Sequence, residues 1–265
     1  MTETAISKSP ARRLFSFLWQ HLWLLVSLFV MTLGVALCVR SDLGSSVIST
    51  IPFVMSLAGE NGQAPGLTIG EYTYIMNFVL VGLQIAVLRR RFELIQLLQL
   101  VIGFLFGFLL DINMVLTSFL VCDTLPMQAV VQLGGCVVLA AGISMEIRCG
   151  SVTMPGEGFP VALSKVSGIP FAKVKIYVDV SLVAIAVVLS YLYFGRWLWQ
   201  VVGPGTLVAM VLVGWLVKLF SPHMKWFDRL LHISPEFRRR LRLFASVKGS
   251  DSEPMHFVST ISSVI

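Results

Sequence analysis

Two arginines, Arg40 and Arg148, each end a long apolar run and precede a short polar segment. A guanidinium group donates hydrogen bonds in a planar fork that fits carboxylate, phosphate or sulfate oxygens. The segments that follow, 41–46 and 150–155, are rich in residues that begin helices, and the free N–H groups of a helix start also favour an anion. This pattern predicts a site for a small polar or anionic ligand. The alternative is that the arginines reach along apolar surface to water and that the polar residues only cap helices.

The candidate ligand contacts are polar groups at these two places, together with two polar groups inside later apolar runs. They are Arg40, Asp42, Ser45, Ser46, Asn77, Arg148, Ser151, Thr153 and Asp179. For Asn77 the competing role is a hydrogen bond between helices. Asp179 could instead pair with Lys175, which precedes it by four residues on one helical face.

Glu146 lies in an apolar run only two residues before Arg148, and residues at that spacing do not face each other on a helix. A carboxyl group in apolar surroundings must find another partner or bind a proton. We therefore predict that Glu146 carries the proton of a proton-coupled carrier. Glu157 and Asp111 are the other candidates, and a position near the end of an apolar segment is the competing explanation for both.

The composition restricts the class of protein. Hydrophobic residues make up 56% of the 265 residues, charged residues make up only 13%, and the mean hydropathy is +0.85. Soluble domains carry about 25% charged residues, and disordered or collagen-like chains need a polar or glycine-repeat composition. An ordinary soluble enzyme is excluded, and a multi-pass membrane protein remains.

The net charge of +6 is concentrated in the two tails, because residues 14–220 contain ten Lys and Arg against nine Asp and Glu. Basic tails beside apolar spans are typical of cytoplasmic retention and of contact with anionic lipid. The lipid bilayer is therefore a predicted partner, with anionic lipid at the basic amphipathic tail 222–265. The sequence contains no nucleic-acid-binding motif, and we expect no nucleic-acid partner.

Apolar runs near 20 residues predict an all-α polytopic membrane protein with six transmembrane helices. The predicted spans are Leu22–Val39, Tyr72–Leu88, Leu94–Leu116, Ala129–Ile147, Ile176–Tyr193 and Val201–Phe220. Two shorter apolar pieces, Ser45–Ala58 and Thr153–Ser167, contain Pro52 and Pro160 and are too short to cross. We expect them to be re-entrant or interfacial half-helices.

Six crossings place most Lys and Arg on one side of the membrane and leave only Arg40 and Arg196 on the other. Eight crossings would move Arg89–Arg91 outside and bring the cation-free segments 59–70 and 118–127 inside. The six-span topology is favoured, with both termini in the cytoplasm and the chain in a bacterial cytoplasmic membrane. The uncleaved first span is expected to serve as an anchor.

A weak internal repeat relates the two halves of the chain. With an offset of 108 residues the repeat pairs Gly34 with Gly142, Arg40 with Arg148 and Pro52 with Pro160, and with an offset of 102 it pairs Asn77 with Asp179. Three crossings per repeat require the second to be inverted, as in many secondary transporters. The expected organisation is a cytoplasmic tail 1–21, a first repeat 22–120, a second repeat 121–221 and the tail 222–265. Duplication that merely built a stable bundle is the alternative.

Several stretches carry a resemblance to a known family: GVALCVRSDLGSSVISTIP (34–52), LTIGEYTYIMNFVLVGLQI (67–85), FELIQLLQLVIGFLFGFLLDI (92–112), MPGEGF (154–159) and KVKIYVDV (173–180). They resemble the YczE/YyaS group of YitT-related bacterial membrane proteins over roughly residues 20–220. We expect no soluble C-terminal domain of the kind that many YitT-type members carry, which favours the YczE/YyaS side of the resemblance. The resemblance implies a bacterial cytoplasmic-membrane protein, and it supplies no catalytic or substrate residues.

The leading functional prediction is a secondary transporter that moves a small polar or anionic metabolite by alternating access, with a proton as the candidate coupling ion. The alternative is an accessory protein that regulates or assists another membrane-associated complex. No nucleophile-base set and no metal-ligand spacing appears, so we expect no enzyme activity, no metal and no cofactor. The cysteines Cys38, Cys122, Cys136 and Cys149 lack C-x-x-C spacing and are expected to be free thiols.

Overall fold

The computed structural model describes residues 10–149, residues 154–224 and Phe227. Every regular element among these residues is helical. The helices are α1 Pro10–Arg40, α2 Thr50–Glu60, α3 Ile69–Leu88, α4 Leu98–Leu116, α5 Leu125–Cys149, α6 Pro155–Ser167, α7 Phe171–Phe194 and α8 Pro204–His223. Short 3-10 turns occur at Val47–Ser49, Arg89–Arg91 and Leu94–Leu97.

Five apolar segments of the described chain are long enough to cross a membrane: Leu18–Arg40, Ile69–Arg91, Leu94–Leu116, Leu125–Cys149 and Lys173–Phe194. Many large apolar side chains on them face outwards, among them Phe78, Phe104 and Phe108, each more than half exposed. Such a surface suits lipid rather than water. The predicted all-helical, multi-pass class is therefore confirmed at this level.

The predicted span Val201–Phe220 starts later than expected. Residues 201–203 form a turn, and α8 begins at Pro204 because the fixed φ of proline suits the first helical position. The apolar part, Pro204–Phe220, is one of the shorter apolar helices.

Short helices occur at both places where half-helices are predicted. The first consists of the 3-10 turn Val47–Ser49 continued by α2, and Pro52 falls in the first turn of α2. The second, α6, begins at Pro155, contains Pro160, and ends at Gly168 with a left-handed φ of 69°. A left-handed residue commonly ends a helix, and glycine adopts it without strain.

The helices pack around a central pair, α1 and α5. Helix α4 packs on α1, and α8 packs on α5. Helices α2 and α6 each contact both α3 and α7. Helix α3 also packs along α4, whereas α7 and α8 make at most a marginal contact.

Glycines bring the backbones of α1 and α5 together. The place where a side chain on Gly34 would begin is occupied by the backbone of Leu139, and a methyl group on Gly142 would lie 2.6 Å from the backbone nitrogen of Met31. A methyl group on Gly135 would lie 2.8 Å from Cys38 Sγ. The absence of a side chain at these glycines therefore permits the central contact.

Most of the predicted basic tail 222–265 and the N-terminal residues 1–9 lie outside the described residues. Phe227 is the exception, since it is fully buried and meets the Trp23 ring edge to face, with centroids 5.2 Å apart. This contact fixes the beginning of the C-terminal tail against α1.

The α1–α5 contact can be tested with matched glycine substitutions. Gly142→Ala should lower the free energy of unfolding in detergent by about 1–3 kcal/mol, because the added methyl group overpacks against Met31. Gly134→Ala is the control, since nothing lies within 4 Å of its side-chain position. The control should be neutral or up to about 1 kcal/mol more stable through helix propensity. Equal effects at both positions would contradict the packing described.

Candidate functional site

The beginnings of the two short helices meet in the interior. The Ile48 Cδ1 atom, in the 3-10 turn before α2, occupies the place where a side chain on Gly156 of α6 would begin. Val47 and Phe159, from the same two segments, belong to one apolar cluster with Val174 of α7. Because both helices start at this contact, their positive dipole ends lie close together.

The serines that precede α2 form hydrogen bonds with other groups of the protein. Ser45 donates to the Val201 carbonyl oxygen through both its backbone N–H and its hydroxyl, each at 3.1 Å. The Ser46 and Ser49 hydroxyls are 2.7 Å apart. These contacts satisfy polar groups and tie the segment to the turn before α8. In this conformation the predicted ligand contacts Ser45 and Ser46 therefore have structural partners.

Glu146 reaches the beginning of α6. Its carboxylate accepts a hydrogen bond from the backbone N–H of Met154, the residue before α6, and interacts electrostatically with Glu157. The side chain is only 5% exposed, and Oε1 has no hydrogen-bond partner among the described residues. The structure thus brings two of the three predicted proton-coupling residues together at one half-helix.

Two buried glutamines, Gln84 of α3 and Gln99 of α4, lie beside the first turn of α6. Gln84 Nε2 donates to Gln99 Oε1 at 3.0 Å and approaches the Pro155 carbonyl oxygen at 3.5 Å. A side chain on Gly158 would collide with both amide oxygens, at 2.7 Å for Gln99 and 2.9 Å for Gln84. Neither glutamine was among the residues predicted from the sequence. Both interrupt apolar runs, and that signal could have identified them.

Asn77 is fully buried in α3, and neither its amide oxygen nor its amide nitrogen has a partner in the described chain. Its side chain faces Gly103 of α4, where a methyl group would lie 3.1 Å away. Each unsatisfied buried polar group costs about 1–3 kcal/mol. The predicted alternative, a hydrogen bond between helices, is therefore not made in this conformation.

Arg40 is held at the end of α4. Its Nη2 donates to the Met114 carbonyl oxygen at 2.7 Å, while the buried Nε has no partner among the described groups. Arg148, its predicted counterpart, is half-buried near the end of α5 and makes contacts of its own. The two arginines lie at opposite ends of the antiparallel central pair, so they do not form one site. Ser151 and Thr153 lie outside the described residues.

Asp42 lines an open cleft of about 250 Å³ with Arg196, Trp197 and Trp199, away from the half-helix contact. It has a left-handed φ of 63° and an exposed side chain. Burial, followed by the charges of Asp123 and Asp42, raises the pKa of the nearby Cys122 thiol. The cleft is therefore a separate feature at the α1–α2 and α7–α8 connections.

The carboxylates of Asp111 and Asp179 both have partners within the protein. Asp111 accepts hydrogen bonds from Thr68 Oγ1 at 2.6 Å and from the Gly70 N–H at 2.8 Å, which joins α4 to the start of α3. Asp179 forms the i,i+4 ion pair with Lys175 at 2.6 Å. Asp179 thus forms the ion pair named as its alternative, whereas the bonds of Asp111 to the start of α3 were not among the roles considered from the sequence.

No group of three or more His, Cys, Asp or Glu that could hold a metal ion occurs among the described residues. All four cysteines are free thiols, and Cys38 and Cys136 face each other across α1 and α5 with a hydrogen bond between their side chains.

The structure defines the class as an all-helical protein with several membrane-length apolar helices. Residues 18–222 match DUF6198, a family of unknown function, and the chain belongs to that family. No curated protein and no solved structure matches. The relationship to the YczE/YyaS group stays a prediction.

The unpartnered amide of Asn77 predicts an unusual pair of stability effects. Asn77 and Asn113 are both fully buried, but Asn113 Nδ2 donates to Thr32 Oγ1 at 2.8 Å and to the Phe29 carbonyl oxygen at 3.2 Å. Asn113→Ala should therefore cost about 1–3 kcal/mol more unfolding free energy than Asn77→Ala. Chemical denaturation of the two variants in the same detergent measures the difference. Equal losses would show that the Asn77 amide is already hydrogen-bonded in the purified protein.

Proposed function

We propose that this protein is a secondary transporter for a small polar or anionic metabolite. The observation that carries the proposal is the meeting of the two short helices at Ile48 and Gly156. Discontinuous helices whose starts converge inside an apolar protein are the usual construction of a transporter's ligand site. Broken backbone at that depth is tolerated only where protein or a wet cavity surrounds it.

The helix packing supports two inverted repeats of three crossings each. Adding 108 residues carries Met31 to Leu139, Gly34 to Gly142 and Ile48 to Gly156. Gly34 contacts Leu139, and the counterparts of these two residues, Gly142 and Met31, also contact each other. Ile48 contacts its own counterpart, Gly156. Such exchange is what a twofold axis between α1 and α5 produces.

The same correspondence holds for whole helices. Helix α4 lies on α1 as α8 lies on α5, and α2 contacts α7 as α6 contacts α3. Counting α8 as the sixth crossing gives each repeat three crossings and one half-helix. The exception is that α3 packs along α4, while α7 has no comparable contact with α8.

Six crossings also suit the charge distribution and a bacterial cytoplasmic membrane. The exposed Arg89–Arg91 turn then shares the cytoplasmic side with both basic tails. The cleft lined by Asp42 and Arg196 falls on the opposite side. Anionic lipid would contact the C-terminal tail.

In the proposed mechanism the repeats rock about the central α1–α5 pair and expose the half-helix starts to one side at a time. Donors at the half-helix starts and the Asn77 amide bind the solute. Glu146 exchanges a proton, because a buried carboxyl group changes charge as access to water changes. Arg148 contributes the positive charge at the cytoplasmic end.

The first test is thermal stability of the purified protein against a panel of sulfate, phosphate, small carboxylates, amino acids and sugars. A ligand that binds the native state must stabilise it, by about 2.7 kcal/mol at 100 times its Kd. We expect at least one compound to stabilise the wild type and Arg90→Ala but not Arg148→Ala, and to be taken up by proteoliposomes. If no compound stabilises the protein, the accessory-protein alternative is favoured over transport.

A cross-link tests whether the half-helix contact takes part in transport. In a chain whose four native cysteines are replaced by serine, Ile48→Cys with Gly156→Cys should form a disulfide on oxidation, since such bonds need Cα atoms within about 7 Å. Uptake of the compound found above should stop and return on reduction.

The control pair for the cross-link is Ile48→Cys with Gly168→Cys. Gly168 lies past the far end of the 13-residue α6, about 20 Å from its beginning, so no disulfide should form. Uptake that continues through the cross-linked Ile48–Gly156 pair would contradict a moving half-helix site.

A further inference from the structure

The positive end of α6 is occupied by a carboxylate from another helix. Met154, the residue before α6, makes no side-chain cap, and Pro155 has no N–H to offer. The Met154 N–H is donated instead to Glu146 of α5. A helix start that binds a carboxylate has the chemistry to bind any small oxyanion.

The Glu146 carboxylate is hydrogen-bonded through only one of its two oxygens at the start of α6. Its Oε1 is buried without a hydrogen-bond partner among the described residues, although an ionised carboxylate normally accepts several hydrogen bonds when buried. A partnerless charged oxygen in an apolar interior favours uptake of a proton. The same atom would be stable once protonated or once replaced by a better-matched anion.

The surrounding ionisable groups add negative rather than positive charge beside Glu146. Glu157 of α6 is the acidic group that interacts with Glu146 electrostatically, whereas the neighbouring Cys149 of α5 is a buried, uncharged thiol. Helix α1 contributes the Ser27 hydroxyl, which bonds Cys149, and Lys218 of α8 is exposed. Arg148 follows two residues later on α5, on a different side of the helix. An anion arriving beside an ionised Glu146 would therefore be repelled.

We propose that the start of α6 is a binding site for a small oxyanion, that the Glu146 carboxylate is its resident occupant, and that an external oxyanion enters only when Glu146 has bound a proton. The inference deepens the proposed transporter function and rests on it for the direction of movement. The proposal sets the transport stoichiometry at one proton for each oxyanion, because the oxyanion enters only with Glu146 protonated. Release of the oxyanion on the other side lets Glu146 lose its proton and return to Met154.

The experiment measures sulfate binding by thermal stabilisation, since sulfate keeps its charge between about pH 5 and about pH 8. Sodium chloride at equal ionic strength corrects for screening. For the wild type we expect the apparent Kd for sulfate to rise about tenfold per pH unit on the alkaline side, which is the linkage of one proton to one anion. Glu146→Gln, which mimics the protonated state, should bind sulfate with a Kd that does not change with pH.

Glu157→Gln separates the roles of the two acidic groups. Removing the neighbouring charge should shift the pH at which sulfate binding weakens, but the tenfold change per pH unit should remain, because Glu146 still takes up the proton. The proposal is overturned if Glu146→Gln binds no sulfate, if its binding keeps the wild-type pH dependence, or if Glu157→Gln alone abolishes that dependence. The infrared C=O stretch of a protonated carboxyl group, which should appear on acidification in the wild type and not in Glu146→Gln, shows independently that Glu146 takes up the proton.

The same variants separate this inference from the proposed function. Sulfate binding controlled by Glu146 without uptake of any solute into proteoliposomes would refute transport and leave the proton-controlled site standing. Uptake that is independent of pH and unaffected by Glu146→Gln would refute the site and leave transport standing.

Discussion

Two interruptions of the helical backbone inside an apolar protein are the constraint on which the rest of this structure depends. Lipid offers no partner for an exposed N–H or C=O group, so every group freed by a break must be satisfied by the protein itself. The first break is satisfied at the start of α8, where the Val201 carbonyl oxygen accepts from Ser45 and the Gly205 N–H donates to the Leu43 carbonyl oxygen. The second is satisfied in part by Glu146.

The central contact of α1 with α5 follows from this constraint. The half-helices can meet only if the helices that precede them lie close together, and glycines at 34, 135 and 142 let the two backbones approach. Glycine and the two glutamines serve the same purpose at α6, where Gly158 makes room for the amide oxygens of Gln84 and Gln99. Small residues and buried amides therefore determine how closely the helices of the interior pack.

Hydropathy was sufficient to predict the five apolar helices of membrane length, because a run of apolar residues has few alternatives in a membrane. It did not predict that the sixth apolar run becomes helical only at Pro204. The positions of both short helices also followed from their length and their prolines. Partners were harder to predict. The sequence offered Arg40 and Arg148 as members of one site, but α1 and α5 are antiparallel and carry them to opposite ends. Asp111 was offered for proton transfer, yet its hydrogen bonds to Thr68 and Gly70 depend on a contact 41 residues or more away in sequence. Local patterns carry no record of such long-range pairing.

The difference between the two halves has a consequence for the proposed transport cycle. If the halves are the inverted repeats proposed above, their two different shapes represent the two end states of a single unit. The closed pair α3 and α4 and the parted pair α7 and α8 are those two shapes. Exchanging the two shapes between the halves gives the state that faces the opposite side of the membrane. In that state α7 packs on α8 and α3 separates from α4. In the proposed cycle, reaching that state would require breaking the hydrogen bonds of Asp111 to Thr68 and Gly70, so this one carboxylate at the α3–α4 junction would help to set which side of the membrane the resting protein faces.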